Sequence, residues 1–591
     1  MNKRKGINLV FSCYKQVFLC SPALSICEAL SYLGSAVISG LMPLIWKYLF
    51  DTIPNAIETK SFIVAFPAVV WFVVFQIAEV TFRLLGRVAA RVFGYNEKII
   101  LALKSQLYEH VCSIPLICFE NKENYDSFER AGSAINRNAA VKMVDYLYQT
   151  PAMILSFIIM IISLWTFDPV LVAIAFLAVI PISLLQMIKS LKHFKMYQRQ
   201  AADRRAKNYF WSLFLLPSNI KDIRVYQVQK FFMDKWLKSC KKVNEEEKTF
   251  YFKYLKKQII TDLIKIFGNC SGIIFSACLL FFEKITIGSF GAIINAFQNL
   301  QSNCLQIISN LQGFRESYLF YNDYLTFMDI QKIKTGNEKL NDDFNIKLIN
   351  VSFSYPNKLE NALENISLKI NKNEHIAIVG ENGSGKTTLC RLLSGLYSPV
   401  SGSVLYNKLP VSEYEKSYTD KISAVFQDYI KYLFNVRSNV GFGDIDNLKN
   451  DTRIYEALKK SDNSIQPSAI DLDNQLGREF GGYELSGGQW QRLAIARGYM
   501  PECANFFIFD EPMSSIDPIQ ESAIFKSFME QTDKYTSIVV THRIGAAKLA
   551  NRIIVMDKGK IIEEGTHAEL MQLNGKYAEM YTAQAKWYGT E

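Results

Sequence analysis

The chain has 591 residues, 49% of them hydrophobic, with 11 cysteines and a formal net charge of +10. That length exceeds what one hydrophobic core supports, so two or more units are expected. A mean hydropathy just above zero is too high for an all-soluble enzyme and too low for a chain that is membrane throughout, which leaves a membrane part joined to a soluble part. The Lys and Arg residues lie between apolar runs rather than in one patch, so the charge reads as loops of a membrane protein and not as a nucleic-acid surface. The cysteines show no CxxC spacing, and Cys27, Cys270 and Cys278 sit inside apolar runs. They read as small buried hydrophobes, not as a disulfide or metal framework. No cleavable signal is evident at the N-terminus.

Six stretches of the first half are predicted to span a bilayer as helix, each near the required length of about 20 residues. They are Pro22–Phe50, Ser61–Leu84, Thr150–Phe167, Pro169–Met187, Ile259–Phe282 and Ile287–Leu311. The sixth is the most polar, because Asn295, Gln298, Asn299, Gln301, Ser302 and Asn303 mark one side of it; a helix facing protein or water explains that. Glu28, Glu79, Asp262 and Lys265 are ionisable within the spans, and a polar cavity or simple neutralisation near helix ends accounts for them.

Three links between spans are short and two run to about 65 to 70 residues. The long links hold the charge: about nine Lys and Arg between Arg83 and Lys142, and about eighteen between Lys189 and Lys257. The positive-inside rule therefore places them, the N-terminus and the C-terminal half in the cytoplasm. Two helical arms of 25 to 30 residues would reach roughly 40 Å from the membrane and return. The polar stretch FENKENYDSFERAG, Phe119 to Gly132, falls where the first arm turns, and SNIKDIRVYQ, Ser218 to Gln227, where the second does.

From about Lys347 short β-rich runs alternate with helical patterns, which predicts a parallel α/β sheet with covering helices. Gly380–Thr388 reads GENGSGKTT after the apolar run HIAIVG and before LCRLLSGL, a P-loop in its proper strand-turn-helix setting. Its residues Gly380, Glu381, Asn382, Gly383, Ser384, Gly385, Lys386, Thr387 and Thr388 are predicted to cradle ATP phosphates. Lys386 reaches the β- and γ-phosphates, and Thr387 is a Mg²⁺ ligand. FFIFDEP ends a buried strand in Asp510, suited to the Mg²⁺ shell, and Glu511, placed to polarise an attacking water.

LSGGQWQRLAIARG, Leu485 to Gly498, resembles the signature of the ATP-binding cassette (ABC) family, and the match runs in order through the C-terminal half. The resemblance implies that Tyr355 stacks on adenine and that Gln427 senses Mg²⁺ and γ-phosphate. It makes Ser514, Ser515, Ile516 and Asp517 the D-loop and His542 the switch histidine. It also implies that Leu485, Ser486, Gly487, Gly488 and Gln489 act in trans, on ATP held by an opposite cassette. The chain then reads as a half-exporter working as a dimer, with a second copy of itself or with a degenerate partner. The implied fold is an α-helical membrane bundle of six transmembrane helices with long cytoplasmic extensions, fused to an α/β P-loop NTPase cassette. Residues 1–330 form the membrane domain, 331–343 the linker and 344–591 the cassette.

In such exporters the arm tips are coupling helices, which assigns Tyr125, Asp126, Phe128 and Arg130 in the first arm and Ile220 and Asp222 in the second. Trp490 after LSGGQ and the YDSFERAG stretch are similar to lantibiotic exporters lacking a peptidase. Only about twenty residues precede the first span, which leaves no room for a peptidase domain. The implied cargo is a modified peptide, exported across a bacterial plasma membrane. A lipid or another amphipathic small molecule, as in lipid and multidrug exporters of the same fold, is the alternative. ATP and Mg²⁺ are the implied cofactors, and nucleic acid is no partner.

Overall fold

The computed structural model describes residues 6–334, 336–341, 345–358, 360–461, 471–511 and 535–587. Two compact units divide the chain. One takes Met1–His110 and Asp126–Asp329, and the other Val111–Tyr125 and Ile330–Glu591.

The first unit is helical: α1 Gly6–Cys20, α2 Pro22–Glu58, α3 Phe66–Arg91, α4 Tyr95–Val111, α5 Lys122–Asn136, α6 Ala139–Phe167, α7 Pro169–Arg199, α8 Ala201–Leu215, α9 Pro217–Val225, α10 Gln229–Phe281 and α11 Ile287–Met328. Proline opens α2, α7 and α9, where its missing N–H costs nothing. The Asp168 carboxylate accepts from the Val170 N–H at 2.8 Å, and the Thr286 hydroxyl accepts from the Ser289 N–H at 3.2 Å to cap α11. Among the described residues five helices are long and apolar enough to cross a membrane, those containing α2, α3, α6, α7 and α10. Their large side chains face outward as well as inward, with Leu177 and Phe267 each 72% exposed, as lipid-facing helices require.

The sixth predicted span is α11, a single helix of 42 residues. Part of its polar side faces protein, while Gln298 and Ser302 are exposed. Gln301 is buried and exchanges hydrogen bonds with Asn269 on α10, while the Asn303 amide donates to Ser156 Oγ on α6 at 3.1 Å. That explains why α11 is less apolar than the others. Glu79 pairs with Arg83 at 2.9 Å, one turn away, whereas Glu28 is buried.

The second unit contains β1 Ile346–Phe353, β2 Leu363–Ile370, β3 His375–Gly380, α12 Lys386–Leu393, β4 Ser401–Tyr406, β5 Leu409–Pro410, β6 Ile422–Val425, α13 Val436–Gly441, α14 Asp451–Ser461, α15 Gly487–Gly498, β7 Phe506–Asp510, β8 Thr536–Val540, α16 Ile544–Ala547, β9 Arg552–Asp557, β10 Lys560–Gly565, α17 His567–Leu573 and α18 Lys576–Trp587. The strands form two sheets, ordered β10-β9-β3-β8-β7-β6 and β2-β1-β4-β5. The expected parallel sheet is the run β9-β3-β8-β7-β6. Strand β10 joins it antiparallel, and β1 belongs to a separate antiparallel sheet. Burial explains the split. Strands β3, β7 and β8 are buried at every residue, as strands covered on both faces must be. Strand β1 alternates toward one buried face, the pattern of an antiparallel sheet with one side in water.

Candidate ATP site

Sheet register brings the motifs together. Val540 on β8 pairs with Asp510 on one side and Ile378 on the other, and Val425 pairs with Phe509. The phosphate loop, Asp510–Glu511, Thr541–His542 and Phe426–Gln427 therefore leave the sheet at one level, at the carboxyl ends of parallel strands, where α/β sheets bind ligands.

In the loop after β3, Gly385 has φ +103° and a Cβ there would stand 2.7 Å from the Ala362 carbonyl oxygen. Only glycine holds that turn. Glu381, Asn382 and Gly383 are exposed, whereas Ser384, Lys386 and Thr388 are buried. The Lys386 ammonium donates to the carbonyls of Gly380 at 3.0 Å and Glu381 at 2.9 Å. Burial depresses its pKa, against the opposing pull of Glu511 and Asp510. A buried cation on two neutral carbonyls is a strong site for phosphate charge.

Asp510 is fully buried, and neither carboxylate oxygen has a hydrogen-bond partner among the described residues. Burial raises its pKa, while the neighbouring Thr387 hydroxyl and Lys386 favour the ionised form. An orphaned carboxylate beside a threonine hydroxyl has the chemistry of a hard-cation ligand. No group of three or more His, Cys, Asp or Glu among the described residues is placed to hold a metal ion. A cation here would share its shell with phosphate oxygens, as Mg²⁺ usually does.

Glu511 stands at φ +49°, a left-handed conformation that costs a non-glycine residue energy and collects at functional positions. Its carboxylate lies 2.5 Å from His542 Nε2 and accepts from Gln427 Nε2 at 3.1 Å. Its carbonyl accepts from Gln491 Nε2 at 3.4 Å. Gln491 was not singled out by the sequence; its signal is a buried glutamine two residues beyond LSGGQ. The Tyr355 hydroxyl lies 3.0 Å from Thr388 Oγ1, which ties the aromatic to the phosphate loop.

The signature opens α15 through a capping box. Ser486 accepts from the Gln489 N–H, and the Gln489 side chain accepts from the Ser486 N–H at 2.8 Å. Leu485 packs against the apolar cluster around α15 that buries Trp490. Gly488 is half-buried, whereas Ser486, Gly487 and Gln489 are exposed. Ser514, Ser515, Ile516 and Asp517 lie outside the described residues.

Residues 363–514 match the family described as ABC transporter. The subtilin transport ATP-binding protein SpaT of Bacillus subtilis is 30% identical over 98% of this chain and 93% of its own. The chain belongs to the ABC transporter family. The nisin transport ATP-binding protein NisT of Lactococcus lactis subsp. lactis is 27% identical to this ABC transporter over 93% of the chain and 92% of its own length. A solved bacterial Atm1-family ABC exporter with ATP bound shares the fold at TM-score 0.74 and 18% identity, covering 94% of this chain and 98% of that one. This ABC transporter thus has the exporter fold, a helical unit fused to a cassette that binds and hydrolyses ATP.

In the ABC transporter's first arm, residues Val111–Tyr125 belong to the cassette's compact unit. Ile117 packs on the core formed by the two sheets. The Tyr397 hydroxyl donates to Glu120 at 2.9 Å, and Arg391, in the last turn of α12, donates to that hydroxyl at 3.1 Å. Phe128 and Arg130 instead pack within the helical unit, on Phe327 at 5.5 Å between ring centroids and on Asp323 at 3.7 Å. Tyr125 is exposed and Asp126 half-buried. In the second arm Ile220 and Asp222 lie on α9, half-buried and exposed respectively. The first arm turns over residues 112–121, and most of the stretch Phe119–Gly132 lies on α5 beyond that turn; Ile117, Arg391 and Tyr397 carry no sequence motif.

Proposed function

We propose that the chain is an ABC half-exporter that moves a modified peptide outward as a homodimer with two composite ATP sites. The observation carrying the peptide reading is the match to SpaT, a subtilin transport protein, along nearly the full length of both chains. The dimer rests on the exposed, capped signature helix, whose N-terminus suits the γ-phosphate of ATP on another cassette. The N-terminus and cassette face the cytoplasm, on the side carrying the basic arms. Residues 1–330 form the membrane domain, joined through 331–343 to a cassette of 344–591.

Lys386 and the phosphate-loop amides hold the β- and γ-phosphates, and Tyr355 supports the adenine. Thr387, Asp510 and Gln427 would hold Mg²⁺, which neutralises phosphate charge when bound. Glu511 orients the attacking water and accepts its proton. His542 and Gln427, both on the Glu511 carboxylate, aim that base. ATP closes two cassettes, the arms turn the membrane path from inward- to outward-facing, and hydrolysis resets it. Tyr125, Asp126, Phe128 and Arg130 on α5 and Ile220 and Asp222 on α9 flank the arm turns and transmit the motion.

The test is purified protein in proteoliposomes, with ATPase and transport measured against modified peptides, lipids and dyes. Stimulation and uptake by lanthionine-type peptides alone are expected. Stimulation only by lipid or dye would replace the peptide reading with lipid or multidrug export. Full activity from a stable monomer would overturn the paired-site mechanism.

A further inference from the structure

The last helix of the cassette reaches the loop that presents His542. Gln584, on α18, uses both ends of its amide on that loop. Its Nε2 donates to the His542 carbonyl, and its Oε1 accepts from the Ile544 N–H at 2.9 Å. One side chain thus brackets the peptide units on either side of Arg543. The preceding residue adds a local tie, with the Thr541 hydroxyl accepting from the Arg543 N–H at 2.9 Å.

Helix α18 is itself well fixed. The Glu563 carboxylate on β10 accepts from the backbone N–H groups of Lys576 and Tyr577 at the helix start. Tyr577 is fully buried in one cluster with Ile544 and Val379, and its hydroxyl lies 2.8 Å from His567 Nδ1. At the same end, the Lys576 ammonium stands 3.1 Å from the Glu381 carboxylate of the phosphate loop. A rigid helix therefore holds a bidentate amide against a short loop whose own side chain, His542, must keep its Nε2 on Glu511.

We propose that Gln584 is a positioning residue for ATP hydrolysis, clamping the His542 backbone so that the imidazole stays on the Glu511 carboxylate. It acts through the backbone of the His542 loop. The inference rests on the roles proposed above for Glu511 and His542. Misplacing a catalytic group by a fraction of an ångström to an ångström lowers turnover without weakening binding elsewhere in the site.

The experiment is a double-mutant cycle on the full-length protein in lipid, with kcat and KM for ATP and thermal midpoint measured for Gln584→Ala, His542→Ala and the pair. Gln584→Ala is expected to lower kcat between about 10- and 100-fold with KM within about two-fold. The double variant is expected to be no slower than His542→Ala, because the clamp has nothing left to hold. Gln584→Glu, of the same shape, retains the acceptor for Ile544 but loses the donor to His542; it should also lose turnover. This variant decides the matter if the alanine variant is poorly stable. An unchanged kcat in Gln584→Glu, or losses that multiply in the double variant, would overturn the positioning role while leaving His542 in place. A normal rate in His542→Ala would overturn both the clamp and the reading of the site beneath it.

Discussion

The helical unit and the cassette use polar residues in opposite ways. In the cassette, Lys386, Asp510, Glu511, Gln427 and His542 converge at the carboxyl ends of strands buried at every residue. The sheet fixes their level and gathers their polar ends at one place, where His542 and Gln427 meet the Glu511 carboxylate. In the helical unit, Gln301, Asn269, Asn303 and Ser156 satisfy one another between helices. Their work is to hold α11 against α6 and α10 where lipid offers no hydrogen bonds. The polar cluster at the cassette thus centres on a carboxylate with no hydrogen-bond partner among the described residues, Asp510, whereas the Gln301–Asn269 and Asn303–Ser156 pairs satisfy each other.

That contrast is broken most decisively at Glu511. Glu511→Gln is expected to cut phosphate release about 100-fold or more while ATP still binds, read by steady-state turnover and by nucleotide retained on the protein. A normal rate would remove the base assigned here. Lys386→Ala comes next. Losing a charge-assisted contact to phosphate should weaken ATP binding about 10- to 100-fold, measured by nucleotide titration, with the helical signal in circular dichroism unchanged.

On the other side of the comparison the effects are smaller and structural. Gln301→Leu leaves the Asn269 amide unpaired and should cost about 1 kcal/mol. A thermal midpoint lowered by a few degrees, with ATP turnover in detergent retained, is the expected result. A selective loss of transport at full stability would instead make this pair part of the cargo path. Tyr397→Phe is the mildest. It removes a hydrogen bond worth about 1 kcal/mol between Glu120 and the end of α12, and transport per ATP should fall a few-fold while ATPase persists. An unaltered ratio would show that this contact only anchors the turn.

The phosphate loop, Asp510, Glu511, His542 and the signature were legible because each is carried by a few consecutive residues. Backbone geometry holds such residues in register wherever the strand goes. The polar side of α11 was legible as polar, but its partner was not, since Asn269 and Ser156 sit on other helices. Strand β1 reads in sequence as part of the parallel sheet although it pairs antiparallel with β2 and β4, because a short β-rich run carries no record of its neighbour. Gln491 and Gln584 escaped notice for a similar reason: each acts on a backbone group that is remote in sequence.

Composition and short motifs by themselves determined a membrane part, a nucleotide-handling part and the residues proposed to react in the latter. Apolar length and contiguous loop chemistry are local properties of a chain. Only the tertiary structure decided that Asp510 is buried with no hydrogen-bond partner found among the described residues, that Glu120 meets Tyr397 across 277 residues of chain and that Gln584 reaches the His542 loop. Those facts depend on which strands and helices pack side by side, and burial and hydrogen-bond satisfaction are settled there.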